Sequence, residues 1–221
     1  LVTKHCNVAY DPHANCPRFC AFLEQVIPDQ QQLDFLVTAM GYFLTGLTKE
    51  QLWFFFHGVG SNGKSVLIGL LENLMGDYAV KIQTEMLMQQ YRASAGASPD
   101  LLQLPGKRLV FCNETKEGQR LDDALIKDLT GGDTITGRPL FGNNHVSFSP
   151  THKLVVIGNH RPIVSDNSHG FWRRVVLYPF EVCIPEQQQD KDLLEQLIGE
   201  GPGILNHLLG ALRVYFRHGL S

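Results

Sequence analysis

Hydrophobic positions change their spacing repeatedly along these 221 residues, and each change marks an expected element. After an irregular start with a turn signal at Tyr10-Asp11-Pro12, Pro17 opens a helical pattern through Phe19, Phe22, Leu23, Val26 and Ile27, which Pro28 closes. A second helix is expected from Asp29 to about Leu44, burying Leu33, Phe35, Leu36, Ala39, Met40 and Phe43, with Gly46 as terminator. These two helices read as a small cap with no chemistry of its own. Leu52 to His57 is then a short continuous apolar run, the form a buried strand takes, and Val66 to Met75 returns to helical spacing before the stop at Gly76-Asp77. Tyr78 to Val80 reads as extended, Thr84 to Gln90 as a short helix, and the small polar stretch 91–99 as a loop. Lys107 to Asn113 and Lys153 to Asn159 repeat the buried-strand pattern, and Leu121 to Leu129 forms a helix ended by Thr130-Gly131-Gly132-Asp133. Between them, two extended runs flank Phe141-Gly142-Asn143-Asn144, a hairpin in which Pro139 demands a free edge. The chain closes with an amphipathic helix through Leu193, Leu194, Leu197 and Ile198. A last helix follows Gly201-Pro202-Gly203 and is expected to bury Ile204, Leu205, Leu208, Leu209, Leu212, Val214 and Phe216. Strands alternating with helices predict an α/β fold.

Composition adds little until it is resolved along the chain. Hydrophobic residues at 43% and charged residues at 19% describe an ordinary globular protein with a real core. No run reaches the ~18–20 apolar residues of a membrane span, and no signal peptide opens the chain. It starts at Leu1 and stops at Ser221 straight after a helical pattern, as a piece of a longer protein would. The net charge of −3 hides an asymmetry: Thr134 to Phe180 holds five Lys/Arg against Asp166 alone, a local +4 that leaves −7 elsewhere. A basic stretch of that kind is an electrostatic footprint for nucleic acid. Glu181 to Glu200 is the converse, six acids to one base. Five cysteines without a paired C-x-x-C framework fit a reducing compartment, and Cys112 and Cys183 read as buried thiols in strand-like runs. His13, Cys16 and Cys20 invite a zinc reading with Cys6 as fourth ligand. Their irregular spacing and the helical setting of Cys20 favour core packing instead.

The chemistry concentrates at GVGSNGKS, Gly58 to Ser65, between the expected strand and helix. That context turns a G-x-x-x-x-G-K-[ST] match into a phosphate-binding loop. Gly58, Val59, Gly60, Ser61, Asn62 and Gly63 present backbone N–H groups at the positive end of a helix that Lys64, Ser65 and Val66 begin. Lys64 would reach the β- and γ-phosphates of ATP, and Ser65 would hold Mg²⁺. Glu114 follows the second buried strand directly, the position of a Walker B acid that ligates Mg²⁺ and polarises the attacking water. The first acid of the usual pair is replaced by Asn113, leaving more of the Mg²⁺ shell to Ser65, phosphate oxygens and water. Asn159 ends the third strand, where an amide can reach a γ-phosphate or water. Arg138, Asn143, Asn144 and His145 sit near the hairpin tip, where they can track a phosphate backbone.

The matching text YDPHANCPRF, MGYFLTG, FFFHGVGSNGKS, LVFCNET, LTGGDTITGRPLF, KLVVIGNHRP and GFWRRV covers roughly residues 8–180 and resembles superfamily 3 helicases, in particular the helicase part of phage- and plasmid-type primase-helicases. The resemblance implies an AAA+-like P-loop NTPase core, with a largely parallel central sheet flanked by helices, a small N-terminal helical cap (1–47), the ATPase core (48–180) and a C-terminal helical segment (181–221). It implies a hexameric ring that hydrolyses ATP with Mg²⁺ and moves on single-stranded or forked DNA, in the cytosol of a bacterial host carrying a phage or plasmid. A primase domain belongs to the full-length protein, and no membrane is involved. Lys64 and Ser65 fall in motif A, Glu114 in motif B and Asn159 at the motif C sensor. The segment from Thr130 to Pro150 corresponds to the DNA-contacting hairpin, whose tip here lacks the frequent lysine. Arg174, leading to Phe180, matches the arginine finger, with Arg173 as fallback. Two other classes share a phosphate loop: a small-molecule kinase, which needs an arginine-rich lid, and an assembly or initiator module that binds ATP without needing a water-polarising acid. No N-K-x-D guanine reader favours a GTPase.

Overall fold

A computed structural model of the chain describes residues 3–89, 99–113, 117–139 and 145–220. In chain order the elements are α1 (Pro17–Val26), α2 (Gln30–Phe43), β1 (Trp53–His57), α3 (Lys64–Met75), β2 (Ala79–Lys81), β3 (Leu109–Asn113), α4 (Asp123–Gly131), β4 (Ile135–Gly137), β5 (Val146–Phe148), β6 (Lys153–Gly158), α5 (His169–Trp172), β7 (Val175–Pro179), α6 (Leu193–Gly199) and α7 (Gly201–His218). The fold is α/β, with a mostly parallel central sheet and flanking helices, as expected of a P-loop NTPase-like core. The chain separates into two compact units.

One unit comprises residues 46–57 and 80–178 and carries the sheet. Among the described residues the strands run in the order β2–β3–β6–β1–β7. β6 pairs in parallel with β1 on one side and β3 on the other, aligning His57 with Gly158 and Asn113 with Ile157. The carboxyl ends of the three strands therefore finish level, and α/β sheets bind ligands at such an edge. Trp53-Phe54-Phe55-Phe56 and Leu154-Val155-Val156-Ile157 are buried without alternation, because a parallel sheet is covered on both faces. One face packs Trp53, Phe55, Val110, Cys112, Leu154 and Val156 with Leu87, Leu121, Ile126 and Phe171. The expected hairpin is present as β4 and β5, an antiparallel pair separate from the main sheet, with Thr136 opposite Ser147.

The other unit collects residues 1–45, 58–79 and 179–221, and so α1, α2, α3, α6 and α7. Asp29 caps α2 by accepting from Gln32 N at 2.9 Å. α7 packs on α2 so closely that a Cβ on Gly41 would stand 2.6 Å from Leu212 N, and the Tyr42 and Tyr215 ring centroids are 4.7 Å apart. The Glu200 carboxylate accepts from Arg18 N and Phe19 N, satisfying donors that the start of α1 leaves open.

Four expectations need correction here. Gly201-Pro202-Gly203 does not precede the last helix but forms its first turn, where proline costs no helix hydrogen bond. The buried stripe of that helix runs through Ile204, Leu208, Ala211 and Tyr215, so Val214 and Phe216 fall off it and are exposed. Cys183 lies exposed outside any strand, and Phe35 is only partly buried.

Candidate functional site

β1 ends at His57 and α3 begins at Lys64, so the strand–loop–helix setting expected for the glycine loop is present. The loop turns through three left-handed residues, Gly60 (φ +105°), Ser61 (φ 47°) and Gly63 (φ +81°). Successive reversals of this kind curl backbone N–H groups into an anion-binding concavity. Gly63 is fixed by two constraints: its φ, and the crowding of Val26 and Phe22 from α1, which a Cβ would meet at 2.8 and 2.9 Å. Lys64 is buried at 4% exposure, and its ammonium donates to Gly58 O at 2.7 Å and Asn62 Oδ1 at 2.9 Å. Burial lowers its pKa from the usual lysine value. Asn62 in turn donates from Nδ2 to Phe180 O at 3.1 Å, while Ser61 O accepts from Ile184 N at 2.7 Å. One stretch distant in sequence, residues 180–184, thus braces the loop. Ser65 and Val59 face solvent, the latter 81% exposed.

Beside this loop lies a cavity of about 410 Å³, bordered by Phe22 and Gln25 of α1, Ser61, Gly63, Ile184 and Gln188. A cavity of this size, largely apolar with a few polar groups, can take a small molecule. α1, expected as a cap without chemistry, thus lends side chains to the wall of this cavity. Periodicity reports which residues are apolar, and carries no sign that Phe22 stacks against a glycine of a loop some forty residues on.

At the sheet edge of the other unit, Asn113 closes β3, where its backbone oxygen accepts from Thr84 Oγ1 at 2.6 Å. Its side-chain Oδ1 is buried with no hydrogen-bond partner among the described residues. Glu114 lies outside the described residues. Asn159 follows β6 directly and is exposed. From there the chain is pinned to α4: Asp123 Oδ2 accepts from Ser165 N (3.0 Å) and Asp166 N (2.7 Å), and Lys127 pairs with Asp166 at 2.7 Å. The Lys127 and Ser168 hydrogen bonds hold the Asp166 carboxyl well below the usual carboxylate range.

Past α5 the two arginines converge on one residue absent from the sequence-based expectations. Arg173 donates to Gln51 Oε1 at 2.7 Å; Arg174 donates to Gly170 O and, at 3.5 Å, to the same Gln51 oxygen. Gln51 holds a left-handed φ of 55° and donates from Nε2 to Gly131 O at 2.9 Å. Arg173 is exposed and Arg174 half-buried, with its Nε unpartnered among the described residues. In the hairpin, Arg138 and exposed His145 flank β4 and β5, whereas Asn143 and Asn144 lie outside the described residues, as does the polar stretch 91–98. Within the described residues, no helix is long and apolar enough to cross a membrane.

Residues 56–174 match a family described as "Family of unknown function (DUF5906)". Over 216 residues the chain is 29% identical to "Putative helicase L207/L206" of Acanthamoeba polyphaga mimivirus, covering 90% of this chain and 22% of that protein. It is 27% identical over 185 residues to "Putative primase C962R" of African swine fever virus, covering 81% of this chain and 19% of the other. The chain thus spans about a fifth of the length of these relatives. Among solved structures, the NrS-1 C-terminal region superposes with a TM-score of 0.73 at 16% identity, over 95% of this chain and 49% of that one, a likeness of fold.

Proposed function

The chain belongs to the DUF5906 family, and we propose that it is the ATP-hydrolysing motor of a superfamily 3 helicase, moving on single-stranded DNA as a ring. The observation that carries this reading is the braced glycine loop, with Lys64 buried in it and a cavity alongside. The helicase and primase names of its relatives support the reading, as does the basic stretch from Thr134 to Phe180.

The loop N–H groups and Lys64 hold the ATP phosphates, and Phe22, Gln25 and Ile184 border the space for the rest of the nucleotide. Ser65, with an exposed hydroxyl in the first turn of α3, would hold Mg²⁺ together with Glu114. Mg²⁺ held there would supply charge neutralisation at the phosphates. Glu114 polarises the attacking water, Asn159 orients it, and Arg174 acts on the nucleotide of a neighbouring subunit. Arg138, Asn143, Asn144 and His145 contact the DNA backbone, and a primase domain accompanies this motor in the full-length protein.

ATP hydrolysis measured with and without single-stranded DNA across a protein concentration series tests the reading. Turnover should rise with DNA and more than linearly with protein, as shared sites require. No turnover at any concentration would leave an ATP-binding assembly module, and phosphorylation of a nucleoside without DNA dependence would make it a kinase.

A further inference from the structure

The start of α1 meets α7 at a cluster that the phosphate-loop reading does not use. Cys16 is the N-cap of α1, and Cys20 lies one turn further, its N–H donating to Cys16 O at 3.1 Å. Residues four apart share a helix face, so both thiols point the same way. Onto that face α7 brings His207: the two sulfurs and an imidazole nitrogen all lie within 4.8 Å of one another. The sequence favours core packing over zinc, and the other two residues it offers for zinc, Cys6 and His13, are not part of this cluster. Cys6 Sγ donates instead to Val8 O at 3.4 Å, and His13 is exposed.

The cluster is built rather than coincidental. Gly203, one turn before His207, lets the backbones touch: a Cβ there would stand 2.2 Å from Asn15 O and 2.9 Å from Cys16 N. Asn206, the neighbour of His207, donates from Nδ2 to Asp11 O at 2.6 Å and Ala14 O at 3.2 Å, tying down the loop that leads into Cys16. The Phe19 ring meets the His207 imidazole edge-on with centroids 6.0 Å apart, restricting its rotation. Side chains locked by their surroundings in this way are what a metal site requires.

We propose that Cys16, Cys20 and His207 bind a thiophilic divalent cation, zinc by its donor set, which clamps α1 to α7. Two thiolates and an imidazole select zinc over magnesium or calcium, which want oxygen. The three residues all border a cleft with Pro12 and Asn206, from which water would supply a fourth ligand. The clamp would act through helix position. It fixes the helix that carries Phe22 and Gln25 to the cavity beside the phosphate loop.

The test is cobalt titration of the purified chain under reducing conditions, followed by absorbance, together with zinc content by elemental analysis. One Co²⁺ per chain should bind, with a thiolate-to-cobalt charge-transfer band and the intense visible bands of a tetrahedral site, displaced by zinc. Cys16→Ser and Cys20→Ser should each weaken the charge-transfer band, and His207→Asn should shift the visible bands while keeping it. Cys6→Ser and Cys183→Ser should leave the spectrum unchanged. The wild-type spectrum needs no variant to fold: absence of a charge-transfer band overturns the proposal. So does a band that survives the Cys16→Ser/Cys20→Ser pair, or a Cys16–Cys20 disulfide that persists in reductant.

Discussion

Lys64 donates two of its three ammonium hydrogens within its own loop, to Gly58 O and Asn62 Oδ1, at 4% exposure. A cation held this way is fixed in position, with its third hydrogen left for a phosphate. Lys64→Ala should lower ATP turnover by roughly 10²–10³-fold or more, the scale for removing one preorganised charge-stabilising donor. Glu114→Gln should keep nucleotide binding and stop hydrolysis; binding measured by fluorescent-nucleotide titration beside a turnover assay separates the two, and near wild-type turnover in the Gln variant would dismiss Glu114 as the acid. A second residue-scale effect concerns stability. His152 is buried with neither ring nitrogen partnered among the described residues, and burial, aided by Lys153, lowers its pKa to about 4. The unfolded chain binds the proton near pH 6.5 and the folded chain only near 4, so stability should rise as pH climbs through that window and fall on acidification. The full swing is on the order of 3 kcal/mol at ~1.4 kcal/mol per pK unit. Urea midpoints from pH 4 to 6.5 should follow this slope in the wild type and flatten in His152→Leu; an equal slope in both would assign the acid sensitivity elsewhere.

The elements were legible wherever one periodicity acted alone. β1, β3 and β6 are uninterrupted apolar runs with few other ways to fold, and α1 and α2 carry prolines or an Asp cap at their edges. α7 was harder to read because Val214, Tyr215 and Phe216 are consecutive and apolar. Only the position of α2 decides that Tyr215 turns inward. The site divides the same way: the glycine loop is local and readable, whereas Gln51, Ile184 and His207 join their sites from far away in sequence and leave no pattern. The closeness of α2 and α7 makes a further prediction. Gly41→Ala places a methyl against backbone at 2.6 Å, which side-chain rotation cannot relieve, and should cost about 1–3 kcal/mol, read as a lowered melting temperature. The β4–β5 hairpin makes another. If Arg138 and His145 contact phosphates, replacing both should weaken binding to all DNA sequences alike and flatten the salt dependence by roughly 0.7 in log–log slope per lost contact on single strands. Basal ATP turnover should not change. An unaltered affinity and slope would take the hairpin off the DNA path.

For the whole molecule, the question is whether one chain completes a catalytic site. Arg173 and Arg174 both lean on Gln51, which fixes where their guanidinium groups are presented. If Arg174 serves a neighbour's nucleotide, Arg174→Ala and Lys64→Ala should each be inactive alone. Mixed, they should recover part of the activity, because some interfaces then pair an intact loop with an intact arginine. A fully active, homogeneous Arg174→Ala protein would rule the finger out and turn attention to Arg173. The packing of α7 on α2 bears on how the molecule comes into being. Gly41 cannot meet Leu212 until some 170 further residues have left the ribosome, a wait of roughly 10–35 s at ~5–20 residues per second. Throughout that interval the face of α2 that carries Gly41 and Tyr42 lacks the cover that α7 gives it. Nascent protein should therefore gain from a holding chaperone, and a message truncated ahead of the α7 segment should yield aggregate rather than a smaller folded product.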